Sequence, residues 1–393
     1  MNLEEIDEID QWLQKKPKLE DRQSRDSSTF TLKERFRRTM FYQDVPLRPN
    51  LEFGYWSKTL EVWREQGLPE SVTDEASAYD YFGIENWAMV NLHANPLPLF
   101  KHEVLEENEE RRVYRDELGV VAEVNKHGHQ SIPHYLDYPI KDRETWEPFK
   151  AVLDPAAPER WKNFEKSVAE LRNSTGPVGI FGGSLVGIPR NLIGFERIAT
   201  MPYEDPDLLI EIINTFGHCI ITMLEQALPH IQVDFAMGWE DICFNQGPIV
   251  PPEFFREVVG PWYRRISDVL VRHGCCVYTT DTDGNINPIT DTFLENGLNT
   301  MFPVEVHAGS DPCHLRDKYG KRVRLWGGVD KRKLSDSKEL IDKELQRLLP
   351  YVEQGGFIPT MDHRVPADIP LKNYLYYLDR KRELFNVGGE PKY

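Results

Sequence analysis

From Pro177 onward the chain alternates short apolar runs with amphipathic stretches. The runs are PVGIFGGS (177–184), VDFAMGWED (233–241), CCVYTTDTDG (275–284), NTMFPVEV (299–306), VRLWGGVD (323–330) and FIPTMDH (357–363). Between and after them, helical spacing predicts helices near 187–200, 207–228, 252–273, 289–296, 311–319, 335–353 and 371–384. Short buried strands alternating with helices of this kind imply βαβ units and a parallel sheet. LEFGYW (51–56) and one strand within 80–100 bring the strands to eight. No G-x-G-x-x-G follows the first strand, so a doubly wound dinucleotide fold loses its main argument and a (β/α)₈ TIM barrel is expected.

Two segments break the alternation. Residues 1–30 are polar and charge-dense, with Ile6, Ile9 and Leu13 at near-helical spacing, which predicts a helical arm that packs on the domain or on a partner subunit. The barrel is then a single domain over 31–393, entered through a capped basic helix beginning at Thr31. Residues 100–160 alternate like a hairpin with a turn near Glu117-Leu118-Gly119, an insertion covering one end of the fold. His127, His129 and His134 lie here; His-x-His on a strand places both rings on one face, a metal reading set against ordinary loop histidines.

Composition narrows the function. A net charge of −17 argues against nucleic acid and anionic membranes as partners. No run is read as reaching the roughly 18 to 20 apolar residues of a membrane span. Met1–Glu5 shows no basic, apolar leader, and the five cysteines include no C-x-x-C pair, so a reducing cytoplasm is the expected compartment. Cys275-Cys276, in an apolar run, reads as a pair of buried thiols.

In a barrel, the polar residue just after each strand faces one common mouth. Here those residues are Glu240-Asp241, Asp281-Thr282-Asp283, Glu305 with His307, Asp330-Lys331-Arg332 and Asp362-His363-Arg364. Each acid alone is also a good helix N-cap, and Asp330 most of all. Together they would repel one another unless a cation or a proton-transfer task compensates. Asp281, Asp283 and His363 are therefore the expected catalytic centre, assisted by Glu240. The same three form a hard or mixed N/O set for Mg²⁺, Mn²⁺ or Zn²⁺, with metal-free acid–base catalysis as the competing reading. Tyr55, Trp56, Trp239 and Glu305 are expected to line the substrate site, where acids and aromatics would favour a methylammonium-like cation. GIFGGSLVGIPRN lacks the Lys-Ser/Thr of a P-loop, and its Arg190 is the nearby cation for a substrate carboxylate.

ERFRRTMFYQDVPLRPN, GPIVPPEFFREVVGPWYRRI, DTDGNINPI, VRLWGGVD and FIPTMDHRVPADIPLKNY together resemble the uroporphyrinogen decarboxylase superfamily, which includes the methylcobamide:coenzyme M methyltransferases. The resemblance runs from about Thr31 to the C-terminus and implies the same barrel. Decarboxylases of that superfamily carry Arg-Gln-Ala-Gly-Arg-Tyr near the first strand, whose arginines bind the porphyrinogen. LEFGYW stands there in this chain. The methyltransferases carry a His-x-Cys-Gly-Asn zinc motif and a later cysteine. Asp281-Thr282-Asp283-Gly284-Asn285 and Asp362 or His363 stand there instead, a set suited to oxygen or nitrogen substrates.

The resemblance implies methyl transfer between a small methylated compound and a corrinoid carried by a separate protein. The alternatives are decarboxylation of a small carboxylated substrate held by Arg190 or Arg364, and a barrel kept as a binding protein. A second copy of the chain is a further expected partner.

Overall fold

The computed structural model describes residues 30–92, 94–127 and 133–393. The arm expected at 1–30 and His129 fall outside them, except Phe30. Thirteen strands occur among the described residues: β1 Ala88–Met89, β2 Glu103–Glu107, β3 Arg111–Arg115, β4 Val121–Asn125, β5 His134–Asp137, β6 Val178–Phe181, β7 Phe235–Trp239, β8 Cys243–Phe244, β9 Gly247–Pro248, β10 Tyr278–Asp281, β11 Thr300–Phe302, β12 Arg324–Val329 and β13 Phe357–Met361. Seven form one curled parallel sheet in the order β1-β6-β7-β10-β11-β12-β13. LEFGYW is not a regular strand. It runs beside the β13 end through a parallel bridge, Tyr55 to Val365, and the Val365 N–H donates to the Gly54 carbonyl at 2.9 Å. Asn50, just before this run, accepts the Glu85 N–H at 2.9 Å ahead of β1. This extended segment stands where the eighth strand was expected, and the TIM-barrel class holds.

Two cores follow from strand alternation. One side chain in two points into the barrel: Leu51, Phe235, Val277, Phe302, Trp326 and Ile358 fill it together with Phe36 and Met40. Those last two belong to the helix Leu32–Met40, which the Thr31/Glu34 capping box starts as expected. The other side chains meet the surrounding helices in one continuous outer core.

The helix Pro206–Ala227 corrects the membrane reading of the sequence, being long and apolar enough to span a bilayer by length and composition. Its apolar residues, from Leu208 to Ala227, are spent on packing against the barrel. The insertion is larger than a hairpin, a four-stranded antiparallel sheet in the order β2-β3-β4-β5. The expected turn joins β3 to β4, with Gly119 at φ 94°. Cys275 and Cys276 are both buried, as the apolar run implied.

Candidate active site

The interior face of β10 continues through Thr279 to Asp281, the last residue of the strand. Asp281 lies level with Trp239 on β7 and Phe302 on β11. Its backbone carbonyl accepts the N–H groups of Glu240 at 2.8 Å and Asp241 at 3.0 Å, which fixes the turn leaving β7. That turn puts Asp241 at φ 46°, a left-handed conformation that aspartate tolerates better than most residues.

Burial pushes the Asp281 carboxyl well above the usual range, and the neighbouring Asp283 and Asp241 push it further than His363 and Arg364 pull it back. Burial likewise raises Asp241, against the pull of Arg190. His363 Nε2 meets Asp283 Oδ2 at 3.2 Å, and its Nδ1–H donates to the Arg364 carbonyl at 3.3 Å. Burial lowers the His363 pKa, but the hydrogen bond and charge of Asp283 outweigh it, and the net shift is upward. Trp56 stacks on the imidazole at 5.7 Å between centroids. The structure thus gathers Asp281, Asp283, His363 and Trp56, with Asp241 as a further acid. Asp283 Oδ1 and Thr279 Oγ1 are buried without a partner among the described residues, leaving hydrogen-bonding capacity for a ligand.

Other expected site residues have different tasks. Glu240 is fully buried and turned away from this group. Its carboxylate accepts the N–H groups of Leu185, Val186 and Gly187 at 2.7, 2.9 and 2.7 Å, and the Tyr263 hydroxyl. It shapes the loop after β6; a Cβ on Gly187 would meet the Glu240 carbonyl at 2.2 Å. Tyr55 lies in the outer core, its hydroxyl 2.8 Å from that of Tyr374. Glu305 accepts from Lys331 Nζ at 2.9 Å and from the Gly284 N–H at 3.0 Å. Burial would raise its pKa, but Lys331 brings it below the usual value.

Asp330 caps the helix Lys331–Asp336 and pairs with Arg332, the structural role its position suggested. Asp362 is buried, accepts the N–H groups of Val306 and Lys331 at 3.0 Å each, and is pushed by burial up to about 7. Arg190 pairs with Asp241 at 3.3 Å, and Arg364 with Glu75. Both arginines offered to a substrate carboxylate are therefore already matched to acids of the chain.

Sequence reasoning missed three features. Asp241 was passed over for Glu240, because alternation gives no rule once a strand turns. Glu52 and Lys381 form a fully buried pair at 2.6 Å that ties LEFGYW to the last helix, and nothing in either local pattern marks it. The third is a cavity of about 310 Å³ bounded by Phe181, Trp239 and the insertion, visible only once the tertiary fold is known. A larger groove of about 930 Å³ lies between outer helices, lined by residues such as Phe164 and His230 and by no strand end.

The zinc site of the methyltransferases does not fit these residues. Asp281 and Asp283 offer hard oxygens in place of a thiolate, and His363 Nε2 is committed to Asp283. No three His, Cys, Asp or Glu side chains among the described residues are grouped to hold a metal ion, His127 and His134 included.

The family model described as uroporphyrinogen decarboxylase (URO-D) matches residues 112–384. A uroporphyrinogen decarboxylase of Pseudoalteromonas atlantica is 22% identical over 195 residues, 47% of this chain and 51% of that protein. The chain thus spans about half the length of the curated relative it matches. Among solved structures, a methyltransferase from Methanosarcina mazei superposes with a TM-score of 0.56 at 14% identity, covering 91% of this chain and 99% of the other. A B12-independent methionine synthase from Shewanella reaches a TM-score of only 0.37 at 13% identity, over 56% of this chain and 65% of the other, too low to carry an argument. A model matching well over half of the chain, on a curled parallel sheet with acids at its C-terminal ends, establishes that the chain belongs to the uroporphyrinogen decarboxylase family.

Proposed function

We propose that this chain is an enzyme that transfers a methyl group from a small methylated compound to a corrinoid carried by a separate protein, with Asp281 as the acid that protonates the departing heteroatom. The observation that carries this reading is the Asp281 carboxyl itself, buried at a strand end with two further acids beside it. Such a group keeps its proton to a higher pH than an ordinary carboxyl and can give it up as charge develops on a neighbouring atom. The bond between the methyl carbon and the heteroatom breaks with its electron pair left on the heteroatom, which takes the Asp281 proton. When bound, the corrinoid supplies the nucleophile that accepts the methyl group. His363, whose imidazolium form Asp283 favours, offsets the negative charge left on Asp281. No step is routed through a metal.

The likeness to a methyltransferase of Methanosarcina mazei supports methyl transfer on this type of barrel, while the pairing of Arg190 and Arg364 with acids weighs against a carboxylated substrate. The test is incubation of the protein with O-, N- and S-methylated donors and a reduced corrinoid protein, following methylation by the corrinoid absorbance. Transfer from at least one oxygen or nitrogen donor, lost in Asp281→Asn, is expected. No transfer from any donor class would overturn the reading.

A further inference from the structure

The sequence suggested a cationic ligand held between acids and indoles. At both indoles, a cation of the chain already takes that place. The Arg190 guanidinium lies 5.3 Å from the Trp239 ring and pairs with Asp241. The Arg364 guanidinium lies 5.7 Å from the Trp56 ring and pairs with Glu75, with His363 stacked on the same indole. The aromatic surface and the charge that would attract a methylammonium group are thus both engaged by the chain itself.

Beside Trp239 the strand ends border the 310 Å³ cavity, at the small end of the roughly 300–1,000 Å³ usual for ligand pockets. Phe181 and Trp239 form its barrel side, with Leu192 next to them. Its outer wall comes from the insertion, with Leu118 and Val120 at the β3–β4 turn and Tyr135 on β5. Among the described residues neither lysine nor arginine lines it. The carboxylate lining it among the described residues, Asp116, has its Oδ1 engaged in the turn, where it accepts the N–H groups of Leu118 and Val120 at 2.9 Å each. The lining is therefore apolar, with two asparagines, Asn95 and Asn191, as its amide groups. Trp239 joins cavity and acids, because it stands level with Asp281 in the sheet.

We propose that this cavity binds an uncharged, largely apolar body of the substrate, of about single-ring size, and that the four-stranded insertion sets the size it accepts. The proposal rests on the methyl-transfer reading for the identity of the site and adds the substrate class. The substrate's heteroatom then reaches toward Asp281 while its apolar body sits between Trp239 and the insertion.

Phenol and tetramethylammonium are the probes, each titrated into the full chain by calorimetry. Phenol is expected to bind, tetramethylammonium to bind at least about tenfold more weakly, and Val120→Trp, which fills the cavity, to weaken phenol about tenfold. Val104→Trp, on exposed β2 of the same sheet, should leave phenol binding unchanged. Leu118→Ala gives a second route if Val120→Trp does not fold, and should shift preference from phenol toward 2-naphthol by about fivefold. Tighter binding of tetramethylammonium than of phenol overturns the proposal, as does phenol binding or ring-size preference indifferent to the insertion variants. Asp281→Asn separates the two claims, because it removes turnover under the functional reading and should leave phenol binding intact. A methyl-transferring enzyme that ignores phenol refutes the cavity alone; phenol binding without methyl transfer refutes the reaction alone.

Discussion

At the residue scale, the acids at the strand ends differ by what receives their charge. Asp281 has its proton held in place by burial and by like charges, so its ionised form destabilises the fold. With a folded pKa above the unfolded value, its protonated form is favoured by folding, and stability falls as pH rises from about 4 toward the raised value. Asp281→Asn should therefore lose about 10²- to 10⁴-fold in turnover while melting no lower than the wild type at pH 8. Activity assays and thermal melts at one pH check both halves, and a variant that is inactive and also strongly destabilised would contradict the assignment. Asp362 obeys the same sign with its pKa near 7. Asp362→Asn should flatten the fall in stability between pH 4 and 7, by at most the one-proton slope of about 1.4 kcal/mol per pH unit, in melts run across that range. Burial raises Glu240 as well, but its carboxylate differs in its partners, with three backbone donors and one hydroxyl on it. Glu240→Gln puts an amide N–H where a backbone N–H already points, and should cost about 2–4 kcal/mol in chemical denaturation. The sequence marked all of these positions as strand ends. It did not show which carboxylates faced the mouth, because that depends on the φ and ψ angles of the first residue beyond each strand.

At the element scale, the pattern from residue 177 onward was legible because each strand and helix declares its own period. The helix expected at 252–273 is present, interrupted by a wide turn over Phe255–Val259 just before Pro261, whose missing N–H removes one rung of helical bonding. LEFGYW was read as a strand from its apolar content, yet its backbone is bridged at few points and depends on contacts distant in sequence, through Glu52 and Val365. The helix Leu32–Met40 could be located from its capping box, but its task could not. It places Phe36 among Phe235 and Trp326, at 5.6 Å from each ring, inside the barrel. Phe36→Ala should cost about 3–5 kcal/mol, read as a lowered denaturation midpoint, because the rigid strand ends around it cannot close the space. A loss under 1 kcal/mol would mean that the barrel interior relaxes around the missing ring.

At the scale of the whole molecule, the proposed methyl transfer to a carried corrinoid would require a second protein to reach the C-terminal face of the sheet. The insertion borders that face beside Phe181 and Trp239, and the segments that follow β6 and β7 lie at the same end. There Phe195 and Phe244 meet edge to face at 5.0 Å while staying 45% and 46% exposed. Two adjacent phenyl rings left in water carry a solvation cost that a partner's apolar surface would relieve, and aromatic anchors of this kind contribute most of the affinity in many interfaces. Neither ring touches Asp281 or His363 in any bond described above, so their loss should spare the chemistry. The double variant Phe195→Ser, Phe244→Ser is expected to raise KM for a corrinoid protein about tenfold or more, while transfer to free reduced cobalamin stays at the wild-type rate. Comparing the two acceptors on one preparation separates docking from catalysis. Equal losses with both acceptors would mean that these rings support the active site itself, and no loss with either would move the docking surface elsewhere on the mouth.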